Sequence, residues 1–169
     1  MHIHAYEKLW LALSIVLILA LIGTVTYGAV GPGVAMVADS QSTVDPGALD
    51  EDDRFSEPRV EQVGENEYEA YVVAYQFGFE PTPIVVPANS TVTLHITSRD
   101  VIHGFGVAGT SANAMAVPGE VSEITVETDE PTEYGIVCNE YCGAGHHVVE
   151  GKINVVSQSE FEDRGGDSE

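Results

Sequence analysis

A long uncharged, mainly apolar run lies in the first part of the chain, an acidic stretch follows, and apolar positions then alternate with polar ones. Leu9 to Val30 carries no charge and is rich in Leu, Ile, Ala and Val. At about 1.5 Å of rise per residue, a helix of that length covers the ~30 Å hydrocarbon core of a bilayer. Glu7 and Lys8 stop the run on one side and Gly31-Pro32-Gly33 on the other. Tyr6, Trp10 and Tyr27 sit near its ends, where amphipathic rings favour the membrane interface. The rival reading is a cleavable leader with Gly33-Val34-Ala35 as its cleavage site, but leaders have shorter apolar cores and basic starts. The pattern predicts a retained N-terminal tail and transmembrane anchor over 1–37, with a short inside tail and a translocated C-terminal portion.

Residues 38–65 are polar and acidic, with Asp45-Pro46-Gly47 and Asp50-Glu51-Asp52-Asp53, and read as a solvated linker. Residues 158–169 read as a disordered acidic tail. Between them, 66–157 has the pattern of short strands. Glu67 to Phe77 alternates and is rich in Tyr and Val; Ile84-Val85-Val86, Thr91 to Thr97, Val121 to Thr128, Thr132 to Val137 and Lys152 to Val156 follow. Pro87-Ala88-Asn89-Ser90 supplies a turn. With Pro and Gly punctuation and no helical period outside the anchor, the expected fold is all-β, a β-sandwich behind one transmembrane helix.

Charge narrows the partners. The formal net charge is -21, and nearly all of it falls beyond the anchor, where the only basic residues are Arg54, Arg59, Arg99, Lys152 and Arg164. A nucleic-acid surface needs a basic stripe, so nucleic acid is not an expected partner. The acidity suits either steering of a basic partner or solubility in brine. Because Asp and Glu are scattered evenly, and because steering fades as the Debye length shrinks to about 3 Å at 1 M salt, the second reading is preferred.

The two cysteines, Cys138 and Cys142, stand four residues apart, with His146 four residues further on and His103 far upstream. Two thiolates and two imidazoles suit copper or zinc. A disulfide or a pair of buried thiols is the plain alternative, but the flanking histidine and the turn Gly143-Ala144-Gly145 favour a metal. Zinc pairs usually sit on Cys-x-x-Cys knuckles, unlike this spacing. A blue-copper centre needs only one thiolate, and two thiolates bridging two copper ions would use the surplus. His95 reads as strand surface, His147 as a solvent-facing neighbour, and Tyr141 and Phe105 as packing residues beside the ligands.

The stretch Tyr71 to Val156 resembles the cupredoxin domain of heme-copper oxidase subunit II, which carries the dinuclear CuA centre. The matching blocks are Asp100-Val101-Ile102-His103-Gly104-Phe105, Pro118-Gly119-Glu120 and Cys138-Asn139-Glu140-Tyr141-Cys142-Gly143-Ala144-Gly145-His146. The single anchor and Phe77-Gly78-Phe79-Glu80-Pro81 resemble the B-type branch with one transmembrane helix. The resemblance implies a cupredoxin-like Greek-key sandwich in which Cys138 and Cys142 bridge two copper ions. It further implies that His103 and His146 bind one ion each and that Glu140 contributes its backbone carbonyl. Its last ligand would be a methionine, but Val149 stands there and cannot ligate. Water, a backbone carbonyl or Met115 would take that place, or one copper would be three-coordinate. The implied function is electron transfer from a cytochrome c or small blue-copper donor to a heme-bearing subunit I that reduces oxygen. The protein would sit in the lipid of the cell membrane with its copper domain on the extracytoplasmic side. A nitric oxide reductase subunit, a copper-delivery protein and a structural zinc domain are the competing functions.

Overall fold

The computed structural model describes residues 4–30, 36–37 and 42–165. His2, the Gly31-Pro32-Gly33 boundary, the Gly33-Val34-Ala35 cleavage alternative and residues 166–169 lie outside them. The chain forms two compact units, Met1–Val34 and Ala35–Glu169.

The first unit is the helix α1 (Ala5–Val30), of which Ala5–Gly28 is long and apolar enough to cross a membrane. Its Leu, Ile and Val side chains from Leu9 to Val25 are exposed all round, as a lipid-facing helix requires. Its backbone groups bond internally. The Ser14 and Thr24 hydroxyls donate to the carbonyls of Trp10 and Ala20, each at 2.9 Å, so neither presents an unpaired donor.

The second unit is a two-sheet sandwich. Its strands are β1 (Met36–Val37), β2 (Ser42–Thr43), β3 (Val60–Gly64), β4 (Glu67–Tyr75), β5 (Gly78–Glu80) and β6 (Ile84–Pro87). They continue with β7 (Ser90–Ser98), β8 (His103–Val107), β9 (Asn113–Ala116), β10 (Glu120–Thr128), β11 (Thr132–Val137) and β12 (Glu150–Val156). One sheet runs β1-β10-β7-β4-β3, with β2 beside β10 and β5 beside β4; the other runs β6-β12-β11-β8-β9. Pairs are antiparallel except β4 with β7 and β6 with β12. The period-2 pattern decides which face is buried. Tyr68, Ala70, Val72 and Ala74 of β4 and Val92, Leu94 and Ile96 of β7 share one core with Phe105, Ile136, Ile153 and Val155 of the other sheet. Each such large apolar side chain stabilises the fold by about 1.5–3 kcal/mol.

Two expectations are corrected. The stretch 38–65 is not a solvated linker throughout, because from Ser42 on it is a strap over the outer face of the first sheet. Leu49 and Phe55 are buried with Tyr71, Val73 and Val121 in a second apolar cluster, and Phe55 meets the Tyr71 ring edge-on at 6.0 Å. Beyond the strap, β3 pairs with β4. The physical reason lies in β4, whose Tyr71 and Val73 make its outer face apolar and in need of cover. Nor is 158–169 wholly disordered, since α2 (Gln158–Gly165) is a helix. The Ser157 hydroxyl accepts the Glu160 N–H at its start (3.3 Å), and Phe161 packs edge-on against Tyr68 at 5.2 Å.

Candidate metal centre

Strand β11 lies between β8 and β12. The loop that leaves its end therefore descends beside the start of β8, where His103 is the first residue. On one side Val137 pairs with Gly106, and on the other the Cys138 N–H donates to the Val149 carbonyl at 3.4 Å. Asn139 crosses over Gly104 so closely that a Cβ there would stand 1.8 Å from Asn139 Oδ1, and only glycine fits. Asn139 Nδ2 then donates to Asn113 Oδ1 of β9 at 3.2 Å. A short 3-10 turn over His146–Val148 brings His146 back toward the cysteines, with its N–H on the Gly143 carbonyl at 3.0 Å.

These supports bring five sequence-predicted positions together. Cys138 Sγ lies 3.9 Å from Cys142 Sγ, 3.8 Å from His103 Nδ1 and 3.1 Å from the Glu140 carbonyl oxygen. Cys142 Sγ lies 3.6 Å from His146 Nδ1. The donor atoms of His103, Cys138 and Cys142 all fall within 4.8 Å of one another, a group that could hold a metal ion. Both cysteines are free and buried, and their separation is far beyond the ~2.05 Å of a disulfide. The Glu140 carboxylate is turned elsewhere, accepting the Tyr141 N–H at 3.2 Å.

Electrostatics distinguish this group from an ordinary buried cluster. His103 is fully buried, and its Nε2 is 2.9 Å from Asp100 Oδ1. With the ring proton held there, Nδ1 keeps its lone pair toward the sulphur, the arrangement in which a carboxylate orients a metal-binding imidazole. Burial pushes Asp100 up, but its hydrogen bonds from His103 and from the Val101 and Gln76 amides outweigh that and hold it below the usual carboxylate range. Burial, with the Cys138 sulphur alongside, pushes the Cys142 thiol up to about 11. A metal entering this group must therefore displace a proton. Soft sulphur, two imidazoles with their Nδ1 atoms toward sulphur, and an orienting carboxylate fit copper well.

The remaining candidates separate. His147 is exposed on the 3-10 turn. Val149 is buried opposite Cys138, and Met115 pairs with Gly104 while 41% exposed. His95 is not open strand surface: it is half-buried, stacked on Tyr71 at 5.1 Å between Glu69 and Glu123. Phe105 packs edge-on to Phe79, whereas Tyr141, expected to pack, is 74% exposed beside His146. Sequence reasoning gave no role to Asp100, although it stands three residues before His103. Gln76, which bonds both Asp100 and Cys142, carries no signal in the sequence at all.

Residues 69–156 match the family model described as "Cytochrome C oxidase subunit II, periplasmic domain". A cytochrome c oxidase subunit 2 of Thermus thermophilus is 40% identical over 154 residues, covering 89% of this chain and 92% of that one. Among solved structures, a subunit of a heme-copper terminal oxidase dimer matches with a TM-score of 0.64 at 32% identity, over 89% of this chain and 99% of that one. The periplasmic domain of subunit II of cytochrome oxidase from Bradyrhizobium japonicum matches with a TM-score of 0.54, over 57% and 88%; at 21% identity that likeness concerns the fold alone.

Proposed function

Because this chain belongs to the cytochrome c oxidase subunit II family, we propose that it is the electron-accepting subunit of a membrane heme-copper terminal oxidase. It takes electrons from a cytochrome c or small blue-copper carrier at a dinuclear CuA centre and passes them to heme in subunit I, where oxygen is reduced. The chain itself makes and breaks no substrate bond. The observation that carries this reading is the convergence of two free thiols on His103 and His146, with the Asp100 carboxylate fixing the far nitrogen of His103.

Cys138 and Cys142 would hold two copper ions between them, His103 and His146 one each, and the Glu140 carbonyl would complete the set. When bound, copper supplies one-electron chemistry with its charge spread over the two sulphurs. The residues supply the rest. His103, Cys138 and Cys142 lie in the core, so water is kept from the inner side of the site. The pairing of β11 with both neighbours limits how far the sulphurs can move between redox states. Around the loops, Phe77, Ile102, Tyr141 and Val148 are exposed and apolar, a rim on which the carrier docks without relying on long-range charge. α1 spans the lipid of the cell membrane once, with the sandwich on the extracytoplasmic side.

The test is electron paramagnetic resonance of the full-length chain in detergent micelles after copper loading. An unpaired electron shared by two copper nuclei gives seven hyperfine lines, and a localised electron gives four. Seven lines are expected; four would mean a mononuclear site or a trapped valence and would remove the shared-valence centre, and a chain that takes up no copper would remove the proposed function.

A further inference from the structure

The two halves of the donor group come from different parts of the chain: His103 from β8, and Cys142 and His146 from the loop between β11 and β12. Gln76, in the turn between β4 and β5, bonds both the carboxylate that holds the first half and the loop that carries the second. The Gln76 backbone N–H donates to Asp100 Oδ2 at 2.7 Å, and the other oxygen of that carboxylate holds His103 Nε2 at 2.9 Å. The Gln76 side-chain amide donates to the Cys142 carbonyl. Cys142 is only 3% exposed, so its carbonyl needs a donor from within the protein. The loop is shaped to receive it. Gly143 has φ +134, and a Cβ there would stand 2.7 Å from Gln76 Nε2. The next residue, Phe77, lays its ring 2.7 Å from where a Gly145 Cβ would be.

We propose that Gln76 is a positioning residue for the metal centre: a brace that fixes the loop bearing Cys142 and His146 against the Asp100–His103 pair. This rests on the copper reading above. The 3-10 turn that carries His146 is bonded to itself, through the Gly143 and Gly145 carbonyls, so it gains little hold on the sandwich from its own backbone. The Gln76 amide and the Phe77 ring supply that hold from outside. If the brace is released, the distance between Cys142 and the His103 half is no longer set, and the metal is held less firmly.

Full-length wild type, Gln76→Ala and Gln76→Glu are compared in detergent micelles, with and without copper. Glutamate keeps the side chain's size but offers the Cys142 carbonyl an acceptor where it needs a donor; alanine removes both. In the metal-free variants, amide exchange over residues 142–148 should rise about fivefold, the equivalent of one lost net hydrogen bond, with β4 and β7 unchanged. In the loaded variants, copper should pass to a chelator about fivefold faster, by the same hydrogen-bond measure, and its hyperfine splitting should change. Variants that exchange like metal-free wild type and release copper like loaded wild type overturn the brace alone. A rise in exchange spread over β4 and β7 also overturns it, since that is general destabilisation. A wild-type chain that takes up no copper overturns the copper reading and, with it, the brace's role at a metal.

Discussion

His103 and His95 both lie on inner strands of the same sandwich, each beside carboxylates, yet their surroundings fit them for different work. At His103 the carboxylate is 2.9 Å from one ring nitrogen and the other nitrogen faces a thiol. At His95 the carboxylates stand farther off, Glu69 3.6 Å from Nε2, which makes no hydrogen bond, and Glu123 3.4 Å from Nδ1, and the ring is stacked on Tyr71. Tyr71 in turn donates to Glu69 and lies under the Arg59 guanidinium, 5.0 Å from its ring centroid. Burial and the Glu69 carboxylate push the Tyr71 hydroxyl well above its ordinary value, so it stays a proton donor. His95 has hard oxygen neighbours engaged with other residues, whereas His103 has soft sulphur neighbours and a lone pair aimed at them. A histidine becomes a candidate ligand when its free nitrogen converges with soft donors, not merely when that nitrogen is left over or when acids surround it.

Cysteine replacement should break that contrast most completely. Cys138→Ser exchanges the soft donor that touches His103, Glu140 and Cys142 for a hard, weakly acidic hydroxyl, and copper uptake and turnover with the carrier should both fall to background. His95→Gln should leave the copper content at the wild-type level. Metal analysis of the two purified variants decides it: copper retained in the serine variant, or lost in the glutamine variant, would reverse the roles assigned to the two regions.

The strap region answers to packing instead. Phe55→Ala removes a ring that is 0% exposed and should cost about 3–5 kcal/mol in denaturant unfolding. The copper spectrum of the folded fraction should not change, because Phe55 belongs to the apolar cluster on the outer face and not to the core that contains the cysteines. A spectral change would show that the two faces of the sheet are coupled.

What was legible in the sequence follows the same division. A strand with one well-buried face, such as β7 over Ser90 to His95, announces itself by alternation, and the Cys-x-x-x-Cys-x-x-x-His spacing points to its own chemistry. β8 does not announce itself, because His103-Gly104-Phe105-Gly106-Val107 is buried at every position and has no polar phase. The strap was hidden because Leu49 and Phe55 are isolated among acids, and their partners Tyr71 and Val73 look like strand residues with nothing yet to cover them. α2 was hidden because its one large apolar residue, Phe161, finds Tyr68 only in three dimensions. Asp100 and Gln76 act through a carboxylate and an amide that any loop could carry. Their roles depend on which nitrogen and which carbonyl lie opposite, and spacing does not encode that.

Asp100 offers a smaller test than either deletion. Asp100→Asn keeps the size and one acceptor but removes the negative charge that favours the Nε2–H form of His103. Copper affinity should fall about tenfold, the low end of the 10–100-fold range for such partners. Competition with a chelator measures it, and an unchanged affinity would mean that His103 is oriented by its burial alone.

The smallest effect belongs to the strap's polar clamp and depends on pH. Arg54 bonds Asp52 at 2.8 Å and also reaches the Ser42 hydroxyl and the Thr43 carbonyl, each at 3.2 Å, joining the two ends of the strap. The hydrogen bond from Arg54 lowers the Asp52 pKa below its ordinary 3.8, despite partial burial. A depressed carboxylate value means that the pair's contribution is fully present above 3.8 and is lost as the pH falls through the lower folded value. For a partly exposed pair the contribution is about 0.2–1 kcal/mol. Amide exchange over residues 42–58 should therefore quicken in wild type below that pH, while Asp52→Asn should exchange at the quickened rate throughout and show no step there. Equal steps in both would place the acid sensitivity in another carboxylate, and the strap would then be held by Leu49 and Phe55 without help from its charges.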